Sequence, residues 1–177
     1  MHLLHVSDYQ APATPVLIEP ATEFRVRRLA VRAVLSDSNG RIYLLRVAAG
    51  GGYLKLPGGG VEPTEDPLAA LHREVMEETG YQIKIGAAVG RTVQYDLATS
   101  FRQDSHCYLA TITGGDGRTN LTQEEQDQGF ELAAFPNLAV AIQAADATGP
   151  TQPETVSIKL RDLVLLRAAS NLAVSRT

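Results

Sequence analysis

Residues 59–81 read GGVEPTEDPLAALHREVMEETGY, and the run from Glu65 to Thr79 has the punctuation of one helix. Thr64 can act as N-cap, Glu65 and Asp66 complement the helix dipole, Pro67 is tolerated in a first turn, and Gly80 is a natural stop. At 100° per residue Leu68, Leu71 and Val75 cluster on one side, while Glu74, Glu77 and Glu78 fall at i, i+3 and i+4 on another. Like charges at that spacing repel by a few tenths of a kcal/mol per pair. Arg73, four residues before Glu77, can neutralise part of that charge. A divalent cation neutralises far more, and carboxylate oxygens are the ligands Mg²⁺ or Mn²⁺ prefers. Just upstream, Gly58, Gly59 and Gly60 let backbone and ligand approach the start of the carboxylate helix. Loop and helix together read as a metal-phosphate site.

Working outward, Val26 to Leu35 has the period of a strand, with Leu29, Val31, Ala33 and Leu35 on one face and Arg28 and Arg32 on the other. Asp37 to Gly40 is a hairpin turn, and Ile42 to Val47 the returning strand. Ala48 to Gly52 is a glycine-rich loop, and Tyr53 to Leu56 a short extended piece. Beyond the helix, Ile83 to Tyr95 and Ser105 to Thr113 have the β-branched and aromatic content of strands, Gly114 to Gly117 reads as a turn, and Thr122 to Gln128 as a polar loop. Phe130 to Phe135 follows as a strand, Asn137 to Ala147 as an alanine-rich helix, and Glu154 to Leu172 as a terminal helix with Ile158, Leu163 and Leu166 inward. The first 24 residues, with Pro12, Pro15 and Pro20, suit an extended arm or edge strand, leaving 25–177 as the main domain.

The chain has 177 residues, 44% of them apolar, and sixteen basic against twenty acidic side chains give a net charge of −4. Such a length suits one domain or a compact pair, and no run approaches the roughly 18 apolar residues a membrane helix needs. Cys107 is the single cysteine, so no internal disulfide can form, and Met1 to Gln10 lacks the features of a secretory signal. A soluble protein of the cytoplasm, away from membranes, is expected. Scattered charge without a basic patch argues against a nucleic-acid polymer as partner and leaves a small anionic ligand brought in by metal ions.

The stretch at 59–81 resembles the Nudix box, Gly-x5-Glu-x7-Arg-Glu-U-x-Glu-Glu-x-Gly-U, where U is a bulky apolar residue. All seven fixed positions match, at Gly59, Glu65, Arg73, Glu74, Glu77, Glu78 and Gly80. At everyday frequencies of roughly 7% each, a chance match at a given start has odds of order 10⁻⁸. Val75 fits the first U position, and Tyr81 at the last is aromatic where an aliphatic is usual. The order of hairpin, loop, helix, strands and late helices also resembles the family's α/β fold, an α/β/α sandwich with a central mixed sheet.

The resemblance implies a divalent-metal-dependent hydrolase that cleaves the pyrophosphate bond of a nucleoside diphosphate linked to another moiety. Glu77 and Glu78 would be the principal ligands of Mg²⁺ (or Mn²⁺), and Glu74 a further ligand or the general base. A carbonyl of Gly58 or Gly59 would complete the coordination, and Arg73 would pair with and orient the glutamates. Glu65 would orient the loop or cap the helix. Some members draw a further acid from a later loop; among Glu124, Glu125 and Asp127, Glu125 is the choice by its distance from Gly129. His72 and His106 read as packed or exposed residues without a chemical role, and Cys107, within a predicted strand, reads as core.

Three other functions compete. A non-catalytic nucleotide-binding or regulatory domain of the same shape is opposed by the complete set of box glutamates, and an RNA-decapping enzyme by the missing basic patch. Nucleotide-sugar or dinucleoside polyphosphate hydrolysis is the third. ADP-ribose-type members often carry a proline some fifteen residues past the box, but none lies between Pro67 and Pro136. Tyr95 is near, without matching, the tyrosine of dinucleoside-polyphosphate members. Nucleoside triphosphates are slightly preferred, with Tyr53, Tyr95, Phe101 and Phe130 as candidate walls for a base. Association into a homodimer is left open.

Overall fold

A computed structural model describes residues 1–8 and 23–174. The elements in order are β1 (Leu3–Asp8), β2 (Val26–Ser36), β3 (Ile42–Val47), β4 (Tyr53–Lys55), α1 (Pro67–Thr79), β5 (Tyr81–Asp96), β6 (Phe101–Gly115), α2 (Gln123–Asp127), β7 (Phe130–Phe135), α3 (Leu138–Ala147) and α4 (Pro153–Val174). The seven strands form one mixed sheet in the order β1-β5-β6-β2-β3-β4, with β7 also paired to β3. β2 is central: it runs parallel to β6 along its whole length, and Leu35 and Ser36 meet Tyr43 and Ile42 of β3. Most of the expected arm lies outside the described residues. Its start, β1, pairs parallel with β5 at the sheet edge.

Alternation along β2 sets the layers. Val31, Ala33 and Leu35 pack with Ala70, Leu71 and Val75 of α1 on one face. Val34, one residue out of phase, packs on the other face with Ala141 and Ala145 of α3 and Leu163, Leu165 and Leu166 of α4. The fold is therefore an α/β/α sandwich around a mixed sheet. Burial of a side chain such as Leu71 or Leu166 contributes about 1.5–3 kcal/mol. Cys107 is fully buried in the α3/α4 layer, as expected, and burial pushes its thiol pKa up.

Several local expectations change. Asp66, not Thr64, caps α1, because its backbone is extended and its carboxylate accepts the Leu68 and Ala69 amides at 2.9 and 3.0 Å. Thr64 adopts a left-handed φ of 72°, which a capping residue does not use. The helix consequently starts at Pro67, and Leu68 turns outward to 42% exposure while Ala70 takes its place in the core. Gly114 and Gly115 extend β6 against Gln82 and Tyr81 instead of turning. Thr122 to Gln128 is no loop: Thr122 and Glu125 form a capping box that starts α2.

Candidate active site

The loop between β4 and α1 passes along the free edge of β2. The amides of Val31 and Ala33 donate to the carbonyls of Gly59 and Pro57, both at 2.9 Å, and the Val61 amide donates to Leu29. This close run explains Gly58. Its φ is 127° and a β-carbon there would overlap the Val31 carbonyl, so only glycine fits. The Gly58 amide is thereby turned toward Glu78 Oε2, to which it donates at 2.5 Å. At Gly59 a β-carbon would occupy the space of the Glu74 carboxylate. At Gly60 it would sit 2.9 Å from Arg28 Nη2. The three glycines thus let two carboxylates and a guanidinium lie against the main chain.

Arg73 is the hub of α1. Its Nε and Nη2 donate to the two Glu65 oxygens, each at 2.9 Å, its Nη1 to Glu74 Oε1 at 2.9 Å and to Glu77 Oε2 at 3.2 Å, and its Nη2 also to the Gly60 carbonyl at 3.2 Å. Glu65 in turn accepts the Glu62 amide at 3.0 Å. It therefore ties loop to helix, while Asp66 supplies the cap. The Arg73 fork, with the Glu62 amide second, holds the Glu65 pKa down to about 2.

The three box carboxylates are not equivalent. Glu77 is the exposed one, with 41% of its side chain accessible. Glu74 is mostly covered. Glu78 is buried to 1% exposure and its Oε1 accepts from Lys55 Nζ at 3.0 Å. Burial raises its pKa, with the Lys55 charge and the Gly58 amide opposing that shift. Lys55 Nζ also lies 4.3 Å from the centre of the Phe130 ring.

Arg73, the carboxylates of Glu74, Glu77 and Glu78, the three loop glycines, Lys55 and Phe130 line one cleft of about 650 Å³, from which Glu65 is absent. Glu62, Glu74, Glu77 and Glu78 form the α1 side and Glu124 and Glu125 the α2 side; Tyr53, Gln103, Ile158 and Arg161 line it toward α4, and Arg28 and Arg32 come from β2. Among the base-wall candidates, Tyr53 and Phe130 are in the cleft. Phe101 instead lines a separate small cavity, and Tyr95 packs on Phe24 in the core beside β1. Glu125 Oε2 accepts from the Thr122 amide and hydroxyl at 2.8 and 2.9 Å, whereas Glu124 Oε1 accepts from Gln128 Nε2 at 3.1 Å. Sequence reasoning missed Lys55, Arg161 and Gln103. Lys55 and Glu78 are distant in sequence, and the buried polar face of α4 has no periodic signature distinct from a solvated one.

Whether these residues suit a divalent cation turns on donor chemistry and position. The donors are hard carboxylate oxygens with backbone carbonyls beside them, which suits Mg²⁺ or Mn²⁺. Among the described residues, however, no three acidic, His or Cys side chains converge on a single point, because Arg73 holds Glu74 and Glu77 while Lys55 holds Glu78. The cations already present mark where positive charge belongs. The donor set fits: Arg73 holds only Oε1 of Glu74 and Oε2 of Glu77, so the second oxygen of each can face a cation while the fork stays in place, and a cation would take the place of Lys55 at Glu78.

The NUDIX domain family model matches residues 26–153. The chain belongs to the Nudix family. Among curated relatives, this Nudix chain is 35% identical over 68 residues to a "Putative 8-oxo-dGTP diphosphatase" of Bacillus subtilis (strain 168), covering 38% of the chain and 43% of that protein. It is 32% identical over 114 residues to an "RNA pyrophosphohydrolase" of Methylococcus capsulatus, covering 57% and 59%. The chain thus spans about half the length of the curated relatives it matches. A solved Nudix hydrolase from Nitrosomonas europaea shares the fold, with a TM-score of 0.60 and 19% identity over 84% of this chain and 90% of the other.

Proposed function

We propose that this Nudix chain is a divalent-metal-dependent hydrolase that cleaves the pyrophosphate bond of a nucleoside diphosphate linked to another moiety, with nucleoside triphosphates as the leading substrates. The observation that carries the reading is the single cleft in which Glu74, Glu77 and Glu78 share space with Arg28, Arg32, Lys55 and Arg161. Carboxylates suit a cation and the arginines suit phosphoryl oxygens. Two curated relatives bear the names of a diphosphatase and a pyrophosphohydrolase, which supports the same reaction class. Among the described residues no helix is long and apolar enough to cross a membrane.

Glu74, Glu77 and Glu78, with a carbonyl of Gly58 or Gly59, would hold Mg²⁺ or Mn²⁺, which when bound screens the diphosphate and lowers the pKa of an attacking water. The protein's own contribution is positioning. Arg73 fixes Glu74 through Oε1, leaving Oε2 to accept a proton from water. The Gly58 amide fixes Glu78, and Arg28, lying over Gly60, meets the negative charge of the substrate. Glu125, held at Oε2 by Thr122, keeps Oε1 for a late contact from the α2 side. A screen of nucleoside triphosphates, nucleotide sugars and dinucleoside polyphosphates with Mg²⁺, products identified by mass, tests the proposal. Turnover of none of them, with nucleotide binding intact, would favour a binding domain.

A further inference from the structure

The two sides of the cleft differ in charge. The acidic residues lie on the α1 and α2 sides, whereas the α4 side is made by Arg32, Tyr53, Gln103, Ile158 and Arg161. Asp162, the acid nearest this wall, is already committed: it accepts from Arg161 Nε at 2.7 Å and Nη2 at 3.0 Å and from the Leu56 amide at 2.9 Å.

Arg32 is the unusual member. It is 6% exposed, and among the described residues its side chain makes one hydrogen bond, from Nη1 to the Val31 carbonyl at 3.1 Å. Its Nε is buried with no partner. No carboxylate among the described residues forms an ion pair with it. Asp162 and Glu78 act on it only from a distance, and Arg161 repels it; burial, the largest influence, pushes its pKa down. A buried guanidinium without a counter-ion opposes folding unless something neutralises it. Gln103, also buried, spends Nε2 on Ser105 Oγ at 3.1 Å and Gln94 Oε1 at 3.4 Å, which fixes its side chain beside the cleft. The wall adjoins the box, since a β-carbon on Gly58 would come within 3.0 Å of the Arg32 Cα.

We propose that the α4 wall is an oxyanion pocket, in which Arg32, with Arg161 beside it, receives a phosphoryl group of the substrate beyond the anhydride that is cut. This rests on the reading of the cleft as a diphosphate-hydrolysing site, and it selects within that reading. Substrates with a third phosphate, such as nucleoside triphosphates, gain a counter-ion for Arg32. Nucleotide sugars, whose diphosphate is flanked by neutral groups, do not. A neutral base on this wall would leave the guanidinium as costly as before.

Binding of inorganic tripolyphosphate to the full chain in excess chelator, measured by calorimetry, separates this inference from the hydrolysis reading because neither metal nor turnover is involved. Arg32→Met should weaken that binding at least about tenfold, whereas Glu77→Gln should leave it unchanged or tighter. Arg32→Met should also melt at the same or a higher temperature, because a buried charge has been removed; a merely structural arginine would lower it. If Arg32→Met does not fold, Arg32→Lys and Arg32→Gln carry the test. The lysine variant should keep most of the binding and the neutral glutamine variant should lose at least about tenfold. Wild-type affinity for tripolyphosphate in folded Arg32→Met, or a loss confined to binding of the unphosphorylated nucleoside, overturns the proposal.

Discussion

On the proposed reading Arg73 joins stability to catalysis, and Arg73→Ala should expose both. The guanidinium makes five hydrogen bonds, four of them to carboxylates. Bonds to charged groups are worth about 1.5–3 kcal/mol each in favourable burial, but the side chain is 30% accessible and the bonds share one donor group. Discounted for solvent screening and shared geometry, the loss is about 2–3 kcal/mol. For a protein of this size that lowers the melting temperature by about 4–12 °C. The drop should be largest in chelator and smaller in Mg²⁺, since a divalent cation can take over the charge of Glu74 and Glu77. Arg73→Lys keeps the charge but not the fork to Glu65, and should lie between alanine and wild type. Rates at saturating Mg²⁺ should fall at least about tenfold in the alanine variant because Glu74 and Glu77 lose their orientation. Melting of Arg73→Ala with wild type in chelator, with normal rates in Mg²⁺, would refute the hub.

Three further outcomes follow from the same geometry. Glu78→Gln keeps an acceptor for the Gly58 amide, and the carboxylate's pKa is raised by burial, so ionised Glu78 opposes folding. The variant should melt at or above wild type near pH 7.5, with the gain vanishing as pH falls below 4.5, while kcat drops at least about a hundredfold. Glu65 is shifted the opposite way, from 4.5 to about 2: its contribution is present above pH 4.5 and lost as pH falls through 2, so Glu65→Gln should flatten the acid limb of the stability curve there. Glu125→Gln should cut kcat about tenfold to a hundredfold and Glu124→Gln hardly at all, measured at saturating Mg²⁺; equal effects would mean that loop charge, not the position of Glu125, is what acts.

Much of this was legible in the amino-acid sequence, and the misses have physical causes. The caps at Pro67 and Gly80 and the spacing of the acids located α1 and grouped its carboxylates, and the alternation from Leu29 to Leu35 located the central strand. The start of α1 shifted because two candidate caps, Thr64 and Asp66, lie two residues apart, and only the backbone angles choose between them. The α2 turn was readable as Thr122-x-x-Glu125, a capping-box spacing, but its polar composition looked like a loop. Alternation placed Arg28 and Arg32 opposite the core of α1 without revealing that α4 covers Arg32. The inequality of the glutamates arises from Lys55, which reaches Glu78 through strand pairing that no local pattern encodes. Tyr95 and Phe101 resemble Tyr53 and Phe130 in composition, and only the sheet order sends Tyr95 to the core beside β1 and Phe101 to a separate cavity.

The central claim is tested most directly by the initial rate of nucleoside triphosphate hydrolysis as Mg²⁺ is titrated into metal-stripped protein, for wild type and Glu77→Gln side by side. Exposed Glu77 can lose its charge without disturbing the core, so any loss reflects the site and not the fold. The account predicts no turnover in chelator, saturable activation of wild type by Mg²⁺, and a rate at least about a hundredfold lower for Glu77→Gln at saturation. Full turnover in excess chelator, or equal rates for the two proteins across the titration, would contradict it.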